Sequence, residues 1–407
     1  MWTVVILVFL AMAVYEFVLR FLAYKSQGLP APANLRDIYD NETYAKRSAY
    51  GKEKLRLIII EHICVSLVTL AFLLSNIHSA LFYYIGQHTS NMYLQAIFML
   101  GVVVLISQSV KIAFAAVMTF KIEAKYGFNK SSPRTFVGDR ARNLLIVHLG
   151  LFLGAVALFM FLRGVLGSAV FVAFFLVFAL FEIVLGLFAA FFMGGKRKPL
   201  EDGALRAKIE ALLAKANFPI DKIFVRDDSK RTSKPNAYCA GIGKSMAVSI
   251  GDNLLDTEKY SDDDALCIIA HEIGHAKGHH ALLKKPLRLA IWAVLVVMAY
   301  FVVNSAEVSL AFGFTELNVA FGVYVLIIFF MPAWLLFDIP INAISHAHEF
   351  AADSFEARMV GKEAAIASLK KGARDNFENL TPHPFVALAH NTHPSLARRI
   401  ENIEKSV

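Results

Sequence analysis

The segment Cys267–His280, CIIAHEIGHAKGHH, contains His271, Glu272, Ile273, Gly274 and His275, the H-E-x-x-H arrangement of a helical zinc-protease site. Two histidines four apart stand one turn above each other on a helix, so both imidazoles can reach one tetrahedral metal. Glu272 between them is then aimed at water beside that metal, where a general base is needed. Upstream, Ser261 followed by Asp262, Asp263 and Asp264 reads as an N-cap with an acidic first turn, and the apolar run Ala265–Ala270 carries the helix into the motif. Cys267 lies one turn before His271 among apolar neighbours and reads as core packing rather than as a ligand.

A third ligand decides between a metal site and two ordinary surface histidines. A metzincin would continue H-E-x-x-H-x-x-G-x-x-H; the glycine is present as Gly278, but Ala281 occupies the third histidine position. His279 and His280 cannot easily wrap back onto the metal from the same helix, so they are expected to face solvent or to support a ligand. The better candidate is His348-Glu349-Phe350-Ala351-Ala352-Asp353, where Glu349 and Asp353 stand four apart on a second helical stretch. One carboxylate could bind zinc while the other holds a ligand histidine by its free ring nitrogen. A two-His, one-Glu site follows, its fourth position open to water.

Composition indicates where such a site sits. The chain is 57% hydrophobic with 34 Phe, and several apolar runs reach the roughly 20 residues that cross a hydrocarbon core. Seven candidate spans are predicted: Trp2–Tyr24, Leu57–Ile85, Leu94–Phe120, Leu144–Leu162, Ser168–Met193, Leu287–Val308 and Leu317–Phe337. The first lacks a basic n-region and a small-residue cleavage pattern, so it is read as a retained helix. The fold class expected is a mainly α membrane protein of seven transmembrane helices, with a cytosolic zincin-like catalytic part carrying a small β-sheet.

Loop charges orient the bundle. Lys25, Arg36, Lys46, Arg47, Lys52 and Lys54 follow the first span, and Lys121, Lys125, Lys130, Arg134, Arg140 and Arg142 follow the third. Both connections should be cytosolic, which puts the N-terminus outside or lumenal and the C-terminus in the cytosol of a bacterial inner membrane or endoplasmic reticulum. The net charge of +8 is then mostly positive-inside bias, and no nucleic-acid partner is implied. Three cysteines without C-x-x-C spacing argue against a disulfide framework.

Four segments are expected: 1–193 with spans one to five, 194–286 with the H-E-x-x-H helix, 287–337 with spans six and seven, and 338–407 with the third ligand. His275 precedes the sixth span by 12 residues and Glu349 follows the seventh by 12, which at helical rise is roughly 18 Å from the membrane in each case. Two antiparallel spans would deliver both ligand helices to one depth. Lys222–Val225 and Ala237–Ile250 alternate or run apolar between turn residues, which predicts a small sheet beside the zinc helix. An exposed strand there could hydrogen-bond an extended substrate backbone; an ordinary hairpin packing on the helix would read the same way.

Four motifs together resemble the integral-membrane CAAX prenyl protease 1 family, zinc metalloendopeptidases of the gluzincin type: H-E-I-G-H at 271–275, E-F-A-A-D at 349–353, P-N-A-Y at 235–238 and T-H-P-S-L-A-R-R-I at 392–400. The stretch Lys121–Lys130 also resembles the loop before that family's fourth span. The resemblance implies one Zn2+ per chain, bound by His271, His275 and Glu349, with Glu272 as general base and Asp353 orienting a ligand histidine. It implies that His393 steadies the oxyanion or substrate, that Asn236 contacts substrate backbone, and that Arg399 is the arginine following the H-P motif, a substrate-binding residue. It further implies a chamber enclosed by the helices and a peptide or protein substrate that can carry a prenyl group. Where the family usually has an arginine pair before the zinc glutamate, this chain has His346 and Ala347. The alternatives are a quality-control zinc protease of the heat-shock type, typically with about four spans, and a non-catalytic scaffold with structural zinc. An intact Glu272 argues against the second, since a structural site needs no base.

Overall fold

The computed structural model describes residues 1–129, 131–192, 197–218, 220, 222–230, 236–241 and 246–406. The chain is mainly helical and divides into two compact units. One comprises Met1–Gln27, Ser48–Leu176 and Ile291–Phe337, and the other Gly28–Arg47, Val177–Ala290 and Asp338–Val407.

Most of the first unit is long helix: α1 (Trp2–Lys25), α2 (Asn41–Leu74), α3 (Met92–Glu123), α4 (Pro133–Leu166) and the first residues of α5 (Ala169–Phe192). Its core gathers Val5, Leu73, Met99, Leu100, Leu153, Phe312 and Phe321. Large apolar side chains such as Leu67, Ile146, Leu151, Leu176 and Phe301 point outward, each at least half exposed. Helices apolar on every face are stable where the surroundings are also apolar, which is the pattern of a bilayer.

Among the described residues, five helices are long and apolar enough to cross a membrane: α1 to α4 and the helix His280–Val303. The apolar helical stretches Ala169–Glu182 and Val319–Phe329 are shorter. The predicted second span, Leu57–Ile85, is two helices. α2 stops at Leu74, where the Ser75 hydroxyl donates to the Ala71 carbonyl at 2.7 Å, and a separate helix Ile77–Gly86 follows. A hydroxyl that takes over a helical carbonyl competes with the next backbone bond, a tie that hydropathy does not register. Arg163, one residue beyond the predicted fourth span, donates to Asn304 at 2.5 Å.

The second unit carries a four-stranded sheet in the order β1 (Arg197–Pro199), β2 (Ile223–Arg226), β4 (Ala247–Gly251), β3 (Ala237–Ala240). β2 and β4 are parallel, with Ile223 opposite Val248, and β3 joins β4 antiparallel, with Ala237 opposite Ile250. The sheet predicted around 222–250 is present, and β3 lies at an edge. Against it packs α6 (Asp262–Lys277), which buries Ala265, Ile269 and Ile273, four residues apart, with Ile209, Leu213, Val248 and Ile250. The start of α6 is the capping box read from sequence: Ser261 Oγ accepts from Asp264 N, and Asp264 Oδ2 accepts from Ser261 N at 2.8 Å.

After α6 come α7 (His280–Val303), α8 (Val319–Val360, unbroken past Pro332 and Pro340), α9 (Lys362–Asp375) and α10 (Leu396–Lys405). α6 and α7 are not one helix: Gly278 ends α6, and His279 adopts φ 51°, the left-handed region. The steady helical rise assumed from His275 to the sixth span is therefore interrupted. Gly28–Arg47, read from its charges as a membrane loop, packs on α9 and α10. Leu35, Ile38 and Tyr39 bury themselves with Ala373, Leu396 and Ile400, and the Tyr39 hydroxyl donates to Ala373 O at 2.8 Å.

Candidate metal centre and active site

α6 and α8 meet through their smallest residues. A Cβ built on Gly274 would stand 3.0 Å from Ala352 Cα and 3.3 Å from Ala352 O, so only glycine permits this approach without a shift. The approach brings His271 and His275 on α6 against Glu349 on α8. His271 Nε2 and His275 Nε2 are 3.1 Å apart, His271 Nε2 is 3.4 Å from Glu349 Oε2, and His275 Nε2 is 3.2 Å from Glu349 Oε1. A tetrahedral zinc with bonds of 2.0–2.1 Å needs ligand atoms about 3.3 Å apart. Among the described residues Glu349 Oε2 is moreover buried without a hydrogen-bond partner, Arg399 Nη2 standing off at 3.4 Å, an arrangement whose cost a bound metal cation would relieve. These three residues fit a single divalent metal.

Behind the ligands stands a second layer of carboxylates on the same face of α8. His271 Nδ1 lies 3.2 Å from Asp353 Oδ1 and 3.5 Å from Glu356 Oε2. Arg399 on α10 grips fully buried Asp353 with two bonds, Nε to Oδ2 at 2.9 Å and Nη2 to Oδ1 at 2.6 Å, and also lies 3.4 Å from Glu349. Its guanidinium is thus engaged by carboxylates as well as lining the cavity described below. Glu356 escaped the sequence reading, although Glu349, Asp353 and Glu356 at i, i+4 and i+7 share one helical face. His280, expected to face solvent or to support a ligand, is buried, with its Nδ1 2.8 Å from His275 Nδ1 and its ring stacked on His348 at 4.1 Å. His279 is exposed.

Charge in this cluster is set by proximity. Burial lowers the His271 pKa, but Asp353, Glu349 and Glu356 together raise it well above the ordinary range. Burial opposes ionisation of Glu349, yet His271 and His275, backed by Arg399, hold its carboxyl far below the usual carboxylate range. Asp353 is likewise held low by Arg399 and His271 against its own burial. Glu272 goes the other way, raised chiefly by burial, and so does Glu356.

A cavity of about 700 Å³ opens beside the cluster, lined among others by Asn236, Tyr260, His271, Glu272, His393 and Arg399. His393 follows the short helix Pro384–His390, whose C-terminal end is anchored to α8: His346 Nε2 bonds Asn391 O at 2.9 Å, and Asn342 donates to Leu388 O at 3.0 Å. His346, standing where the family usually has an arginine, thus helps to place His393, whose Nε2 lies 3.4 Å from Glu349 Oε1. Asn236 lies exposed at the start of edge strand β3 and accepts from Gly251 N through its carbonyl at 2.8 Å. Pro235, from the P-N-A-Y motif, and Lys130, from the loop motif, lie outside the described residues.

This constellation has close counterparts. Residues 199–407 match the description of peptidase family M48. The chain belongs to that family. Residues 20–193 match "CAAX prenyl protease N-terminal, five membrane helices", so both parts of this M48 peptidase are accounted for. Similar proteins include a CAAX prenyl protease 1 homolog of Oryza sativa subsp. japonica, 28% identical over 97% of this chain and 95% of the relative. CAAX prenyl protease 1 of Saccharomyces cerevisiae is 25% identical over 92% of this chain and 88% of the relative. The crystal structure of S. mikatae Ste24p superposes with a TM-score of 0.82 at 23% identity, covering 99% of each chain, so the M48 peptidase shares its fold. The resemblance read from the motifs holds: this is a multi-pass membrane metallopeptidase of family M48, similar over nearly its whole length to CAAX prenyl proteases 1.

Proposed function

We propose that this peptidase uses one zinc ion, held by His271, His275 and Glu349, to hydrolyse peptide bonds near the C-terminus of prenylated CAAX proteins. The observation that carries the metal reading is the convergence of those three side chains at 3.1–3.4 Å beside the half-buried carboxylate of Glu272. The substrate class is supported by the names of the relatives, CAAX prenyl proteases aligned over nearly the whole chain. Zinc in this site supplies Lewis acidity, which acidifies water and polarises a carbonyl.

The chain's own groups do the rest. Edge strand β3, with Asn236 at its start, pairs with an extended substrate backbone and holds the scissile carbonyl near the ligand cluster. Glu272 removes the proton from the attacking water and returns it to the leaving amine; its raised pKa suits both steps. His393 donates a hydrogen bond to the oxyanion as it develops. Asp353 and Glu356 hold His271 in place, and Arg399 neutralises the carboxylates rather than leaving two of them to repel each other.

In this reading seven helices span the membrane and enclose a chamber, with the N-terminus outside and the catalytic side in the cytosol. Segments 1–193 and 287–337 form the membrane part, and 194–286 and 338–407 the cytosolic protease. The basic connections after α1 and α3 support the orientation. The test is mass spectrometry of cleavage products from matched prenylated and unprenylated C-terminal peptides, with chelator and zinc add-back. Chelator-sensitive cleavage confined to the prenylated peptide is expected. Equal cleavage of both would move the substrate toward membrane quality control, and chelator-resistant cleavage would remove the metal.

A further inference from the structure

His275 and His280 are five residues apart, a separation that on a continuous helix would put their side chains about 140° apart around the axis. They face each other because the helix is broken between them. Gly278 ends α6, His279 turns through the left-handed region, and His280 comes back over the last turn of α6 with only 7% of its surface exposed. Its Nδ1 stops 2.8 Å from Nδ1 of His275. The ring is held from the other side by His348, stacked at 4.1 Å with the planes 2° apart. Gly278 keeps the space open, since a Cβ there would fall on the His280 ring.

Two Nδ1 atoms at this distance require one donor and one acceptor. His275 turns its Nε2 into the ligand cluster, where a lone pair is needed, so its ring hydrogen belongs on Nδ1. His280 Nδ1 is then the acceptor. We infer that His280 is a positioning residue for His275: it fixes the tautomer and the plane of that imidazole, and His348 holds it in place. This inference rests on the zinc reading of His271, His275 and Glu349. The two ligand histidines are thereby supported unequally, His271 by the carboxylates of Asp353 and Glu356, His275 by a neutral imidazole.

The experiment measures zinc affinity of the full-length protein in detergent by competition with a chromogenic chelator, together with the absorption spectrum of the cobalt(II)-loaded protein. His280→Phe keeps a ring to stack on His348 but has no acceptor, and should weaken zinc binding about 10- to 100-fold and alter the cobalt spectrum. His280→Asn places an amide oxygen near the lost Nδ1 and should restore both readouts toward wild type. Gly278→Ala displaces His280 without removing it and should resemble His280→Phe. Wild-type affinity and spectrum in His280→Phe would overturn the proposal, as would an Asn variant no better than Phe. Zinc binding unaffected by His275→Ala would instead remove the metal reading itself, and the role of His280 with it.

Discussion

The closest approach of the two ligand helices, Gly274 against Ala352, offers a perturbation that separates metal geometry from fold stability. In Gly274→Ala the new Cβ starts 3.0 Å from Ala352 Cα and 3.3 Å from both Ala352 O and Phe355 Cβ. Carbon atoms in contact prefer about 3.5–4.0 Å, so α6 and α8 must part by roughly 0.5–1 Å. His271 and His275 ride on one helix and Glu349 on the other. The His–Glu separations of 3.4 and 3.2 Å therefore open toward about 4 Å, past what a tetrahedral zinc accepts. Overpacking costs about 1–3 kcal/mol, partly offset by about 1 kcal/mol of improved helix propensity, leaving a net loss of roughly 0–2 kcal/mol. A 1 Å misplacement of a reacting group costs on the order of 100-fold in rate, or about 2.7 kcal/mol. Thermal unfolding in chelator should therefore change little while zinc affinity and kcat/KM fall on the order of 100-fold. The control is Gly138→Ala, on α4, where an added Cβ meets nothing within 4 Å. It should gain up to about 1 kcal/mol and keep full activity. Zinc affinity and turnover of Gly274→Ala within threefold of wild type would refute the reasoning.

Four further outcomes are expected. Arg399→Leu strands the fully buried carboxylate of Asp353 and should cost about 3–5 kcal/mol in unfolding free energy, of which Arg399→Lys recovers only part because it lacks the two-pronged grip. Glu272→Gln should bind zinc and unfold like wild type yet lose turnover; activity within tenfold of wild type would remove Glu272 from the role of base. Glu349→Ala should lose most bound zinc, whereas Asp353→Ala should weaken it only about 10- to 100-fold, as zinc titration of the two variants will report. In the pH profile of kcat/KM, Glu272 must be ionised to act as base and its pKa is raised by burial. Activity is therefore lost as pH falls through that raised value, and the acidic limb should lie above about 4.3, the ordinary glutamate value; a limb at or below it would contradict the burial argument.

Some of this protein is written in short-range pattern. The H-E-x-x-H spacing, the Ser261–Asp264 capping box, the i, i+4 pair Glu349 and Asp353, and the long apolar runs all follow from periodicity and hydropathy, which depend only on neighbouring residues. The edge strand was legible for the same reason, as a short alternating run between turn residues. Other features required the folded chain. That Glu356 reaches His271, that His346 anchors the loop before His393, and that Gly28–Arg47 packs on α9 and α10 depend on which distant faces meet. The end of α2 at Leu74 and the return of His280 over His275 each turn on a single residue, a serine hydroxyl and a left-handed backbone angle. Local sequence states the preferences of each segment, but packing selects among the contacts those preferences allow, because the close approach of Gly274 to Ala352 exists only once two separately specified helices are pressed together.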